Sequence, residues 1–145
     1  MGQGTVFHSF SFNTLRESPD VEVLDYQYGS NDHVGTKADP GRVKTGEVFP
    51  AWGTAGAYPR GEFLFVKWRM KQSGEVHEDK VDLTRLLPAH IEHHGIHFVI
   101  RGAQLVVYLI PPPGVFPSHA LQMASSDKRY ADYLKQHQIY PPQAK

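Results

Sequence analysis

GEFLFVKWRMKQSGEVHEDKVDL (residues 61–83), followed by GIHFVIRGAQLVVYLI (95–110), predicts two consecutive β-hairpins. Each arm is rich in β-branched and aromatic residues, and each turn (QSG, then RGA) carries a glycine where a positive φ is easily adopted. Alternation in the first arm predicts one core-facing row: Leu64, Val66, Trp68 and Met70. Much of this 145-residue chain is thus expected to be antiparallel sheet, with no catalytic motif in it.

Two further strands are predicted before these hairpins, in TVFHSFSF (5–12) and VEVLDYQYG (21–29). Alternation places Val6, His8, Phe10 and Phe12 on one face of the first strand, with Phe7 on the other side. In the second strand, simple alternation places Val21, Val23 and Asp25 on one face and Leu24, Tyr26 and Tyr28 on the other. We therefore predict a single mainly β (α+β) domain over residues 1–145, an antiparallel sheet of about six strands.

A short C-terminal helix is predicted over residues 126–138. Ser125 or Ser126 suits its N-cap, and Pro141 cannot continue it. One stripe of the helix is expected to pack on the sheet: Tyr130, Tyr133, Leu134 and His137.

Residues 29–60 predict a long Gly- and Pro-rich loop, because six glycines and three prolines interrupt any regular pattern. TGEVFPAW (45–52) is its one candidate for a short strand. Large aromatics and arginine are the residues that most often anchor protein interfaces. We therefore predict that this loop binds a partner through Asp32, Trp52, Tyr58 and Arg60. The alternative is that Trp52 and Tyr58 pin the loop to the sheet.

Composition excludes several classes of function. Fifteen basic residues balance fifteen acidic ones without a basic run, which argues against nucleic-acid binding. The chain has no cysteine, and so no disulfide, no thiolate metal site and no cysteine to carry a lipid. No stretch approaches the roughly 18 apolar residues of a membrane helix, and Val6 stands where a myristoylation motif needs Ser or Thr.

No arrangement of residues predicts catalysis. The cluster His90, His93, His94 and His97 has residue types that bind zinc, but Gly95 breaks the helix that would align them. The Gly-x-Ser-x-Gly motif is missing, and Asp82, His97 and Ser118 carry no spacing typical of a triad. We expect a polar turn at the histidines, no metal, no cofactor and no enzymatic activity.

Three segments resemble a group of small proteobacterial lipoproteins: SPDVEVLDYQYG (18–29), VKWRMKQSGEVHEDKVDLTRLLP (66–88) and HFVIRGAQLVVYLI (97–110). The resemblance covers roughly residues 9–112. It implies a periplasmic immunity protein that binds a type VI secretion phospholipase effector and occludes its active site. The family's lipidated cysteine and signal peptide do not occur in this sequence, so either they precede these residues or the protein is a cytoplasmic variant. Two alternatives are an assembly lipoprotein of the cell envelope and a small-ligand-binding β domain.

Overall fold

The computed structural model describes residues 4–30, 35–112 and 128–142, which form two β-sheets and three helices. In chain order the elements are β1 (Thr5–Asn13), α1 (Thr14–Glu17), β2 (Val21–Tyr28), α2 (Pro40–Thr45), β3 (Ala51–Pro59), β4 (Phe63–Met70), β5 (Val76–Asp82), β6 (Gly95–Arg101), β7 (Gln104–Ile110), α3 (Lys128–Lys135) and β8 (Gln138–Tyr140). With 51% strand and 12% helix, the predicted mainly β class is confirmed.

The strands form two sheets, and not the single sheet that was predicted. One has the order β3-β1-β6-β7-β8, and the other the order β2-β4-β5. Within the first sheet, β1 runs parallel to β6. The other neighbouring pairs, β3–β1, β6–β7 and β7–β8, are antiparallel. The difference arises because β1 pairs with β3 and β6, which are distant in sequence, and local alternation carries no information about such pairing.

Both predicted hairpins are confirmed, and the structure gives their registers. Strand β4 pairs with β5 from Phe63↔Asp82 to Arg69↔Val76, and β6 pairs with β7 from Gly95↔Ile110 to Arg101↔Gln104. The turn glycines Gly74 (φ 78°) and Gly102 (φ 63°) both adopt a positive φ, which a side chain would oppose.

One hydrophobic core lies between the two sheets. Strand β1 contributes His8, Phe10 and Phe12, which share one face as predicted, and β4 contributes Leu64, Val66 and Trp68 of the predicted core-facing row; all six are buried. The Trp68 ring is 1% exposed, and its Nε1 donates a hydrogen bond of 2.9 Å to the carbonyl oxygen of Gly102. This bond links the three-stranded sheet to the β6–β7 turn of the other sheet.

Strand β2 departs from the predicted alternation at a β-bulge. Its register against β4 shifts between Val23 and Asp25. The extra residue reverses the parity of the strand. As a result Tyr26 and Tyr28 are buried on the same side as Val21 and Val23, and the expectation that they lie on opposite faces is wrong.

Strands β6 and β7 are buried on both faces, which explains why their sequences are almost continuously apolar. One face belongs to the core between the sheets. On the other face Leu134 of α3, 2% exposed, packs in a second cluster with Val99, Val106, Tyr108 and Ile110. The predicted helix is thus found over Lys128–Lys135 and packs on the sheet as expected; residues 126–127 lie outside the described ranges. Its predicted end at residue 138 is wrong, because the helix ends at Lys135 and Gln138 begins β8, which pairs with β7.

The predicted irregular loop at residues 29–60 contains a helix and a strand in its described part. Helix α2 is capped by Asp39, whose Oδ2 accepts from Arg42 N at 3.1 Å, and it ends at Gly46 with φ 76°. Strand β3 then pairs with β1 without a break from Thr5↔Pro59 to Asn13↔Ala51. Nine-residue pairing overrides the weak strand propensity of its glycines and alanines. The strand therefore begins at Ala51, and the short strand expected within 45–52 is not formed.

Gly61 provides a test of how tightly the core is packed. A Cβ at Gly61 would lie 2.6 Å from Cζ and 2.7 Å from Cδ1 of the buried Tyr28 ring. We expect Gly61→Ala to lower the free energy of unfolding by about 1–3 kcal/mol, measured by urea denaturation. Gly53→Ala is the control, because its Cβ would meet nothing closer than 3.7 Å. Equal stability of the two variants would contradict this account.

Candidate binding surface

Near the start of β3, an exposed phenylalanine contacts both an arginine and a tryptophan. The Phe49 and Trp52 rings stack with centroids 5.5 Å apart and planes 16° from parallel. On Phe49, the Arg42 guanidinium carbon lies 3.9 Å from the ring centroid. Although it has these two neighbours, Phe49 is 40% exposed. A large apolar ring is therefore presented to solvent in a fixed orientation.

The turn between α2 and β3 builds this stack. Arg42 Nη1 donates to the Glu47 carbonyl oxygen at 3.2 Å, and Glu47 N donates back to the Arg42 carbonyl oxygen at 2.8 Å. At the base, Trp52 lies opposite Phe12 in the β1–β3 ladder and packs against the core. Its indole Nε1 is buried against the backbone of Gly35, with no hydrogen-bond partner among the residues that the structure describes. The stack therefore stands on the sheet itself.

Helix α1 carries another exposed apolar residue, and it is joined to the segment that carries Phe49. Both N and Oγ1 of Thr14 donate to the Pro50 carbonyl oxygen, at 2.9 and 2.7 Å. This junction brings Leu15, which follows Thr14 and is 66% exposed, to the segment that carries Phe49. We call this surface the Phe49 patch: Leu15, Arg42, Phe49 and Trp52.

The predicted site residues lie in different environments. Tyr58 is 1% exposed, and its ring centroid lies 4.2 Å from that of His8 in the core, so its prediction as a partner-binding residue is wrong. Arg60 is half-buried and donates from Nη2 to the Leu87 carbonyl oxygen at 2.6 Å, which ties it to the fold. Of the four, Trp52 alone belongs to the Phe49 patch, and Asp32 lies outside the described residues.

Sequence reasoning missed three members of the patch: Leu15, Arg42 and Phe49. For Phe49 a signal existed, because it is a large aromatic next to Pro50 in a segment with few apolar neighbours. For Leu15 and Arg42 there was none, since each sits in a helix of at most six residues whose position depends on tertiary contacts.

A buried polar network lies at the other end of β1. His8 Nδ1 donates to the Val6 carbonyl oxygen at 2.8 Å, so its Nε2 accepts from Tyr28 Oη at 2.9 Å. Gly61 N donates to the same Oη at 2.8 Å. Burial raises the pKa of Tyr28 to about 12, although the Gly61 hydrogen bond opposes this shift. Burial likewise raises the pKa of Tyr26 to about 12 and also raises that of Tyr58.

These tyrosines predict alkaline sensitivity. Unfolded tyrosines ionise near pH 10.0, while buried Tyr26 and Tyr28 hold their protons to about pH 12. Between these values the unfolded state binds fewer protons, so stability is intact below pH 10 and falls as the pH rises towards 12. The free energy of unfolding, measured by urea denaturation at a series of pH values, should decrease over this range. Tyr26→Phe removes one titrating phenol and should make the decrease smaller. An unchanged decrease would contradict the assignment.

A second polar chain joins a serine, a histidine and a glutamate. Ser11 Oγ donates to His97 Nδ1 at 2.8 Å, and His97 Nε2 donates to Glu17 Oε1 at 2.6 Å. This is the order of nucleophile, base and acid in hydrolases. However, Ser11 lies in a central strand, between Gly53 of β3 and His97 of β6. Both neighbouring strands pair with β1 at Ser11, so this serine lies within the sheet and not on the strand-to-helix turn that presents the nucleophile of such hydrolases. The geometry therefore suits a clasp between α1, β1 and β6.

The histidine cluster does not converge on one point. His97 is directed to Ser11 and Glu17, whereas the His93 ring packs on Phe7 with centroids 5.5 Å apart. His94 Nδ1 lies 3.1 Å from the carbonyl oxygen of Glu92. Throughout residues 4–30, 35–112 and 128–142, no group of three or more His, Asp or Glu side chains is placed to hold a metal ion.

Comparison with protein-family models, curated proteins and solved structures gave no match. Within the described ranges, no helix has the length and apolar character needed to cross a membrane. A proposal for this chain therefore depends on the Phe49 patch together with the lipoprotein resemblance.

Proposed function

We propose that this protein is an immunity protein that binds and inhibits a phospholipase effector of a type VI secretion system. The Phe49 side chain is the observation that carries the proposal, because it is 40% exposed yet its ring contacts both Arg42 and Trp52. Aromatic and arginine side chains that are rigid before binding lose little entropy at an interface. Such a surface suits tight recognition of another protein.

Occlusion of the lipase entrance is the proposed mode of inhibition. A phospholipase must admit acyl chains, so its entrance presents apolar surface that an apolar plug can cover. Leu15 and Phe49 supply such a plug, and Arg42 adds a cation at its margin. A standard interface covers about 800 Å² on each partner, which one end of this two-sheet domain can provide. No chemistry by the inhibitor is required.

We place this binding in the periplasm, where the resemblance implies that the lipase acts; a cytoplasmic variant is the alternative. Any lipid anchor would have to come from residues outside this sequence, which contains no cysteine. Neither nucleic acid nor a cofactor takes part in the proposal.

Co-expression tests the proposal directly. Bacteria that produce the lipase encoded beside this gene in their periplasm should survive when this protein is also directed there, and die when it is absent. Purified protein should block phospholipid hydrolysis by the lipase at a one-to-one ratio. Protection without a purified complex, or a complex with an envelope-assembly component in place of the lipase, would reject the proposal.

The clasp Ser11–His97–Glu17 provides a second check. We expect purified protein to hydrolyse no ester substrate in a way that depends on Ser11. An esterase panel on wild type and Ser11→Ala, together with labelling by a serine-reactive fluorophosphonate, measures this. Labelling or turnover that disappears in Ser11→Ala would show an enzyme, and the inhibitor proposal would then have to be abandoned.

A further inference from the structure

We infer that the free edge of β3 is a docking site for an extended segment of the partner, which adds a sixth strand to the five-stranded sheet. The inference rests on the proposed function, since the partner is the lipase that the protein inhibits. In an antiparallel ladder every second residue directs its N–H and C=O away from the paired strand. Within the described part of the chain, the backbone of Ala51–Ala57 bonds only to β1, apart from the Thr54 carbonyl oxygen, which accepts from Tyr58 Oη at 3.3 Å.

The other three sheet edges each carry a feature that discourages pairing. Strand β8 has three residues and is followed by Pro141. Strand β5, VHEDKVD, is mostly charged. Strand β2 has the bulge after Val23, and residues 36–38 lie along its outer side, with Tyr28 N donating to the Thr36 carbonyl oxygen at 2.6 Å.

Strand β3 has none of these features. It is nine residues long, contains no charged side chain and pairs with β1 without a bulge; its one proline, Pro59, is its last residue. An edge of this kind is a template for strand addition. Among the sheet edges formed by the described residues, the edge of β3 is therefore the one suited to pairing.

The side chains of β3 define the chemistry of the segment. Gly53, Ala55 and Ala57 are exposed and small, so they leave room for large side chains on an incoming strand. Because β3 offers no charge to pair with, a charged segment would lose hydration without compensation. The expected occupant is thus an uncharged extended segment of the lipase. It would lead directly onto the Phe49 patch, which begins at Trp52 in the same strand.

Hydrogen exchange and paired proline variants test the inference on the full chain. In the wild-type complex with the lipase, amides of Ala51–Ala57 should become protected relative to the free chain. Ala55→Pro and Gly56→Pro each remove one N–H, and neighbouring amides point in opposite directions. The variant that keeps the wild-type Tm has lost an edge-facing N–H. It should bind the lipase about tenfold to a hundredfold more weakly, while Val76→Ala, on β5 of the other sheet, should bind as wild type does.

The outcomes separate this inference from the proposed function. A wild-type complex without protection of β3, or a folded proline variant that binds within about twofold of wild type, overturns the edge site and leaves the immunity role standing. If both proline variants unfold, exchange in the wild-type complex decides alone. A free chain that dimerises with β3 protected makes a second copy the occupant and overturns the inference. If the wild-type protein does not bind the lipase, both the edge site and the proposed immunity function are rejected.

Discussion

Trp68→Ala is expected to lower the free energy of unfolding by about 3–5 kcal/mol, as typically found when a fully buried large aromatic is truncated. The Trp68 ring is 1% exposed, packs in the core between the sheets and bonds to the Gly102 carbonyl oxygen. Its removal leaves a cavity and an unpaired carbonyl group. Because small domains are stable by only about 5–15 kcal/mol, guanidinium unfolding should show a midpoint shifted far below that of wild type.

Two matched variants make this result interpretable. Trp68→Phe keeps most of the ring volume but loses the indole N–H. Its free energy of unfolding should therefore lie between those of wild type and Trp68→Ala. Phe7→Ala removes a ring that is 49% exposed on β1 and should cost far less than Trp68→Ala. If Phe7→Ala destabilises the protein as much as Trp68→Ala, the core is not where the structure places it.

The parts of the fold that could be predicted are those fixed by local sequence. Each hairpin has its two strands and its glycine turn within about 25 residues, so alternation and turn chemistry determine both pairing and register. The core positions of Phe10 and Phe12 follow from the same alternation. For these elements, the residues that alternation places on one face are also the residues that the folded protein buries.

Long-range pairing explains what could not be predicted. The parallel pairing of β1 with β6 joins Ser11 to His97, and nothing near either residue indicates it. Strand β3 has glycines and alanines that resemble a loop, and it becomes a strand because β1 is available beside it. The bulge in β2 lies at Val23–Asp25, where no glycine or proline marks it.

The candidate site was also hard to predict, because the exposure of its residues depends on long-range packing. Trp52 and Tyr58 are both aromatic, lie on the same strand and share one face, so the sequence assigns them the same role. They lie near opposite ends of β3: Tyr58 meets His8 inside the core, whereas Trp52 stacks with Phe49. Which aromatic is buried depends on what packs against each end of the strand, and residue type does not reveal this.

The largest effect on binding is expected from Phe49→Ala. Truncation of a central aromatic residue at an interface commonly costs about 2–4 kcal/mol, which corresponds to roughly a 30-fold to 1,000-fold weaker Kd. Arg42→Ala should weaken binding less, because it removes one face of the stack and leaves the ring in place. Neither change should move the Tm by more than a few degrees, since both side chains are exposed.

Val76→Ala is the matched control for Phe49→Ala. Val76 is 50% exposed, similar to Phe49, but lies on β5 of the other sheet, away from the Phe49 patch. Titration calorimetry of the lipase against the three variants should leave the Kd of Val76→Ala unchanged while that of Phe49→Ala rises. Equal affinities would mean that the lipase contacts a different surface, even if co-expressed cells are still protected. Equal losses for Phe49→Ala and Val76→Ala would show a general effect of reduced apolar surface, and the stacked geometry of Arg42, Phe49 and Trp52 would then have no special part in recognition.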